Sequence, residues 1–90
     1  MKVYVLVHDS MYDCCQEISV DVFSTFDQAQ QAMDRRVNAF EEEQYSDAAS
    51  MVCSRNTNSV CYYEDGYYSE NHEAWEIFER ELITENMTVL

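Results

Sequence analysis

The sequence predicts an α+β fold in which an antiparallel sheet of four to five strands carries one long helix on one face. Two short segments of alternating apolar residues open the chain, a segment of helical periodicity follows, and the remaining residues again form short extended segments around turns. The predicted order is β-β-α-β-β-β. Because 90 residues can build one modest core, we expect a single α+β domain over residues 1–90.

A hairpin is predicted at the start of the chain. The segment 2–8 is apolar on both faces, which is typical of a central strand. The segment 17–23 alternates strictly, and we expect its apolar residues to point toward the core: Ile18, Val20 and Val22. The polar residues 9–16 are predicted to join the two strands as a loop of medium length.

One amphipathic helix is predicted from Ser24 to about Tyr45. Either Ser24 or Thr25 can cap its first turn, with Asp27 or Gln28 three residues further on. The apolar positions recur every three or four residues and are expected to form one buried stripe: Phe26, Ala29, Met33, Val37 and Phe40.

A second hairpin is predicted from residues 51–55 and 59–64, joined by Asn56-Thr57-Asn58. Asparagine adopts the positive φ angles that tight turns need. If the turn is centred on Thr57, Cys53 and Cys61 lie directly opposite each other.

The segment 72–83 fits both a helix and a strand. Asn71 can cap a helix, whereas Trp75, Ile77 and the alternating glutamates favour an extended segment. A turn at Gly66, the one glycine of the chain, would return the segment along the sheet. Because a glutamate-rich edge strand discourages aggregation, we predict a strand at the edge of the sheet.

Three stretches together resemble a loosely defined group of small uncharacterised bacterial and phage proteins. They are the opening Lys2-Val3-Tyr4-Val5-Leu6, the Val22-Phe23-Ser24-Thr25 start of a helix, and the run from Tyr63 to His72 that contains Tyr-Glu-Asp-Gly-Tyr-Tyr-Ser-Glu-Asn-His. The resemblance implies a strand-strand-helix-strands order with a final strand after His72. It implies no activity and no functional residue.

The composition excludes several classes of function. Eighteen Asp and Glu stand against five Lys and Arg, giving a net charge of −13 that repels nucleic-acid phosphates and anionic lipids. We therefore expect no direct nucleic-acid binding and no membrane binding. The apolar run 3–7 is too short for a signal peptide, so a cytoplasmic protein with reduced thiols is expected.

The residues that carry chemistry in other proteins do not form a recognisable motif. His8-Asp9-Ser10 contains the residue types of a hydrolase triad, but consecutive side chains diverge and no glycine-rich elbow follows. The four cysteines and two histidines lack the spacing of a zinc site. We expect a non-enzymatic protein without metal or cofactor, and a metal or thiol-redox role for Cys14-Cys15 is a weaker alternative.

The strongest functional expectation concerns the face of the sheet that the helix leaves uncovered. Exposed aromatic and apolar area on a small domain usually marks a protein contact. We expect this module to bind a protein partner, or itself as a homodimer, through an aromatic sheet face. The alternative is that the loop 9–16 and the C-terminal tail fold over this face and cover it. The interface candidates are Tyr4, Leu6, Phe23, Tyr63 and Trp75, with further tyrosines at 62, 67 and 68.

The acidic surface supports an alternative function, an inhibitor that mimics nucleic acid and blocks a DNA-binding protein of a phage or mobile element. Asp27, Asp34 and Glu41 recur every seven residues, about 10 Å apart along a helix. Glu42 and Glu43 extend this group, and a second acidic concentration, which includes Glu73, is expected in the C-terminal third. The simpler interpretation is a solvated surface that keeps the protein soluble.

Overall fold

A computed structural model describes residues 1–12, 15–44, 51–64 and 71–82 of the chain. It confirms the predicted α+β class and the predicted order of elements. The strands and the helix of the described residues are β1 (Lys2–Tyr12), β2 (Cys15–Phe23), α1 (Phe26–Glu43), β3 (Val52–Asn56), β4 (Ser59–Tyr63) and β5 (His72–Glu81). The five strands form one antiparallel sheet in the order β2-β1-β5-β4-β3, which leaves β2 and β3 at its edges.

The last strand confirms the extended prediction for residues 72–81 of the segment 72–83, but the predicted edge position is wrong. β5 pairs with β1 on one side and with β4 on the other, so it lies in the middle of the sheet. The alternation of buried and exposed residues along β5 explains its central position. Trp75 and Ile77 are buried in the core, and the strands on both sides of β5 help to bury them.

The first hairpin is longer than predicted, and its loop is correspondingly shorter. β1 continues to Tyr12 and β2 begins at Cys15, so most of the segment 9–16 is strand. The polar side chains in this part take part in the pairing, since Gln16 Nε2 donates to Asp9 Oδ1 over 3.0 Å. Strand pairing therefore overrides the turn propensity of this segment.

The register of the second hairpin differs by one residue from the prediction. Asn56 pairs with Ser59, so the turn consists of Thr57 and Asn58 rather than three residues centred on Thr57. Cys61 consequently pairs with Ser54. A slip of one residue moves a side chain to the other face of a sheet, so Cys53 and Cys61 lie on opposite faces.

The helix agrees closely with the predicted periodicity. The Thr25 hydroxyl accepts a hydrogen bond from the Gln28 backbone N–H over 3.2 Å, which identifies Thr25 as the N-cap. Phe26 is half-buried against the core. The fully buried stripe consists of Ala29, Ala32, Met33, Val37 and Phe40.

The core lies between α1 and one face of the sheet, which we call the helix face. Leu6, Val60 and Trp75 are at most 3% exposed there. Tyr62 and Ile77 complete the part of the core that the strands contribute. We call the opposite side of the sheet the far face, and no described element packs on it.

The helix ends at Glu43 with Gln44 as its C-cap, just before the predicted end near Tyr45. Several predictions concern residues outside the described part of the chain: the turn at Gly66, Cys14, Tyr67 and Tyr68. Among the described residues, no helix combines the length and the apolar character needed to cross a membrane.

Candidate functional site

The predicted aromatic interface lies on the helix face, so its assignment to an uncovered surface is wrong for four of the five candidates. Leu6 is 0% exposed and Trp75 is 1% exposed. Tyr4 and Phe23 are half-buried and pack against the same core. Only Tyr63 belongs to the far face, where it is 42% exposed.

Aromatic packing beneath the helix explains this placement. The Phe40 ring of α1 lies 5.6 Å from the Trp75 ring and 5.2 Å from the Tyr62 ring, centroid to centroid. Aromatic side chains bury large areas and gain further from such tilted contacts. The helix therefore covers the face that holds Tyr62 and Trp75, while Tyr63, Phe78 and the aliphatic side chains of β2 lie on the far face.

The far face instead presents the aliphatic residues of β2. Ile18, Val20 and Val22 are 60%, 56% and 61% exposed, so the prediction that they point inward is wrong. The pairing register continues this row across the sheet, with Val22 opposite Val5 and Val5 opposite Phe78. We call the combined surface the aliphatic patch, after its five aliphatic members. They are Val5, Val7, Ile18, Val20 and Val22, and the ring of Phe78 borders them.

The two edges of the sheet differ in length and character. β3 has five residues and is largely polar, and all five are exposed. β2 has nine residues and carries the three exposed aliphatic side chains of the patch. Long apolar edge strands are templates for pairing with another chain. Within the described residues, β2 is therefore the edge best suited to recruit a partner.

Two cations lie beside β2, although the chain as a whole is strongly acidic. Glu17 and Asp21 are the acidic residues of this strand, and Arg36 Nη2 pairs with Asp21 Oδ2 at 2.5 Å. Arg35 borders a shallow depression next to Val22 and Phe23. Two of the five Lys and Arg residues of the chain thus lie beside one strand.

A second cluster lies on the helix face around Glu73, which is only 6% exposed. Its Oε1 contacts His8 Nε2, and Ser10 Oγ donates to its Oε2 over 3.0 Å. The His8 ring stacks on Trp75 with 4.7 Å between centroids. The expectation that Glu73 belongs to an acidic surface is therefore wrong.

Hydrogen bonding keeps Glu73 ionised in this position. Burial raises the pKa of its carboxyl group, but hydrogen bonds from His8, Tyr12 and Ser10 and the electrostatic attraction of His8 outweigh burial. The net result is a pKa below the ordinary value for glutamate. A buried carboxylate with this many donors stabilises the end of the sheet without needing a ligand.

The geometry of this cluster does not form a hydrolase triad. In a triad the imidazole lies between the hydroxyl and the carboxylate, whereas here Glu73 lies between Ser10 and His8. Asp9 is on the far face, where its Oδ2 lies 3.3 Å from His72 Nε2. The adjacent His8, Asp9 and Ser10 are thus divided between two faces, as consecutive strand residues must be.

The burial of Glu73 is absent from the sequence-based predictions, because the glutamates of the C-terminal third are grouped there as one acidic surface. The signal that was available is the period of two, which places Glu73 on the same face as Trp75 and Ile77. Finding its partners also requires the β1–β5 register, in which Ser10 pairs with Glu73 and His8 with Trp75.

A cavity of about 540 Å³ adjoins this cluster between the sheet and the C-terminal half of α1. Its lining includes Tyr12, Arg36, Phe40, Glu43 and Glu73. The charged groups are of both signs, and Arg36 and Glu73 already have bonding partners. The lining therefore selects no particular charge of ligand.

The predicted acidic candidates are on the helix surface, but they are not equivalent. Asp27, Asp34, Glu42 and Glu43 are exposed. Glu41 is half-buried, and its Oε1 accepts from Arg55 Nη2 over 2.7 Å. One member of the predicted column is thus neutralised by a cation of the neighbouring hairpin. No group of three or more metal-ligating side chains occurs among the residues that the structure describes.

Comparison with known proteins adds no family to this description. No protein-family model, no curated protein and no solved structure matches the chain significantly. The resemblance to small bacterial and phage proteins stays a prediction.

Proposed function

We propose that this chain is a non-enzymatic protein-interaction module whose binding surface is the aliphatic patch on the far face. The exposure of Ile18, Val20 and Val22, each above one half, is the observation that carries the proposal. Isolated exposed apolar residues are common, but a contiguous row beside Val5 and Phe78 is not.

The contrast with the helix face supports this function. The same sheet buries Leu6, Val60 and Trp75 almost completely, so the fold has an adequate core without the aliphatic patch. Aliphatic residues that add little to the core are explained by a contact with another protein.

The proposal is tested with two variants that place the same charge on opposite faces of β2. Val20→Lys inserts an ammonium group into the patch, while Ser19→Lys puts it on the exposed helix side of the same strand. Proteins retained from a host lysate by the wild type are identified, purified and titrated against all three forms.

We expect the purified partner to bind the wild type and Ser19→Lys equally and Val20→Lys at least about tenfold more weakly. Equal binding by all three forms would exclude the patch as the binding surface. Circular dichroism spectra of the three forms establish that each is folded.

An acidic nucleic-acid mimic is the second candidate function. Its support is the exposure of Asp27 and Asp34 on α1, in a chain of net charge −13. Such an inhibitor would bind the basic groove of a DNA-binding protein, and double-stranded DNA would compete for that groove. Its affinity should fall steeply between low and moderate salt, whereas binding through the aliphatic patch should not weaken.

A further inference from the structure

We infer that the partner of the aliphatic patch is a second copy of this chain, paired antiparallel through the β2 edge about a two-fold axis at Val20. The inference deepens the proposed function and rests on it, because it names one partner for the same surface. Edge-to-edge pairing would join the two sheets into one and satisfy backbone groups that a sheet edge leaves unpaired.

The sequence of β2 is self-complementary about Val20. With Val20 opposite Val20 of the second copy, Ile18 lies opposite Val22 and Val22 opposite Ile18. All three pairs are aliphatic and lie on the far face, because directly opposed residues share a face of a sheet. The opposed side chains of Ile18, Val20 and Val22 contact each other across the axis, which reduces the exposure of the β2 part of the patch.

The other face of β2 is also compatible with this register. Ser19 lies opposite Asp21, and Glu17 lies opposite Phe23, so no two like charges are directly opposed. A contact that obeys a two-fold axis must be self-complementary in this way. The strand meets that condition on both of its faces.

Neighbouring registers are less favourable for identifiable reasons. A shift of the axis to Ser19 would place Glu17 opposite Asp21, which opposes two carboxylates. A shift to Asp21 would place Asp21 opposite itself and leave Ile18 facing Ser24. Like charges directly opposite each other destabilise a pair of strands, so the register at Val20 is preferred.

Two chains of net charge −13 repel each other, but the charge close to β2 is low. Asp21 is paired with Arg36, and Arg35 lies near the C-terminal end of β2. Asp9 lies opposite Ile18 on the far face, where His72 and Gln16 contact its carboxylate. The net charge near this edge is therefore small beside the −13 of the chain. The remaining long-range repulsion is screened by salt, so the dimer should become tighter as ionic strength rises.

Disulfide trapping tests the register directly. Val20→Cys is made in a background with Cys14, Cys15, Cys53 and Cys61 replaced by Ser. Opposed residues in an antiparallel pair have Cα atoms about 4.5–5.5 Å apart, which is within the range of a disulfide. We expect Val20→Cys to form a covalent dimer under mild oxidation.

Two matched controls use the same background. In the proposed register the Cα atoms of the two copies of Ser19 are about 7–8 Å apart, so Ser19→Cys should cross-link far more slowly. Ser54→Cys places a thiol on the exposed β3 edge, which the proposed dimer does not use. Cross-linking of all three variants at one rate would overturn the register.

Sedimentation equilibrium of the wild type, Ser19→Lys and Val20→Lys measures the association itself. We expect a monomer–dimer equilibrium that Ser19→Lys retains and Val20→Lys weakens at least about tenfold, because it opposes two lysines across the axis. A wild type that stays monomeric over the whole concentration range would overturn this inference. If that monomer still binds another protein through the patch, the proposed function stands.

Discussion

The two faces of the sheet both carry apolar side chains, but among the described elements only the helix α1 packs on the sheet, and it covers one face. On the helix face, Leu6 and Trp75 are almost fully buried beneath α1. On the far face, Ile18, Val20 and Val22 are more than half exposed. The comparison teaches that an apolar row of side chains does not by itself identify the buried face of a strand: the helix packs where the rings of Tyr62 and Trp75 fill the space beneath it.

The sharpest test of this comparison introduces one lysine on each face. Leu6→Lys buries an ammonium group in a site with 0% exposure, and we expect it to lower the free energy of unfolding by more than about 4 kcal/mol. Val20→Lys places the same group in solvent and should change the free energy of unfolding of the monomer by less than about 1 kcal/mol. Urea denaturation at a concentration below that of self-association measures both. Similar losses would show that the two faces are equally buried.

A pair of valine-to-alanine substitutions, one on each face of the sheet, tests the same comparison with a smaller expected effect. Val60 is 3% exposed on the helix face, and Val22 is 61% exposed on the far face. Val60→Ala should cost about 2 kcal/mol of unfolding free energy, and Val22→Ala less than about 0.5 kcal/mol in the dilute monomer. Thermal or urea unfolding provides the measurement. A larger loss of unfolding free energy for Val22→Ala than for Val60→Ala would show that the core lies on the far face.

The pH dependence of stability tests whether Glu73 belongs to the covered face. Because its pKa is lower in the folded state, the stabilisation is complete above the ordinary pKa and is lost as pH falls through the folded-state value. The wild type should therefore lose stability below about pH 4.5. Glu73→Gln should reduce the unfolding free energy at neutral pH by about 1–2 kcal/mol and flatten this loss.

Glu76→Gln is the matched control for Glu73→Gln, because Glu76 lies on the same strand but is exposed on the far face. It should change the free energy of unfolding at neutral pH by less than about 0.5 kcal/mol. Equal losses of unfolding free energy from the two substitutions would contradict the role given to the buried carboxylate.

The smallest expected effect concerns the start of the covering helix. Thr25→Ala removes the hydroxyl that accepts from the Gln28 N–H, and it should lower the free energy of unfolding by about 1 kcal/mol. Thr25→Ser keeps an acceptor and should restore most of that loss. Equal destabilisation by both substitutions would show that the hydroxyl is not the capping group.

Local periodicity predicted much of the fold, because it depends on the residues of one segment at a time. The helix has the expected buried stripe, Thr25 is one of the two expected caps, and residues 72–81 form a strand. The one-residue error at Cys53 and Cys61 arose because turn length, rather than composition, sets the register of a hairpin.

The candidate site could not be predicted in the same way. Alternation assigns Val3, Val5 and Val7 to one face of β1 and Tyr4 and Leu6 to the other, but both rows are apolar. Which row the helix covers depends on shape matching between elements that are distant in the chain. The burial of Glu73 likewise depends on the β1–β5 register, which no single segment contains.

Exposure of the methyl groups to a soluble paramagnetic agent measures which face of the sheet is open to solvent. In the dilute monomer, we expect strong relaxation enhancement for the methyl groups of Ile18, Val20 and Val22, and weak enhancement for those of Leu6, Val37 and Val60. At higher concentration, the enhancement at β2 should fall while that of the core is unchanged. Protection of the three β2 residues already in the dilute monomer would show that the chain covers this face itself and that the aliphatic patch is not a binding surface.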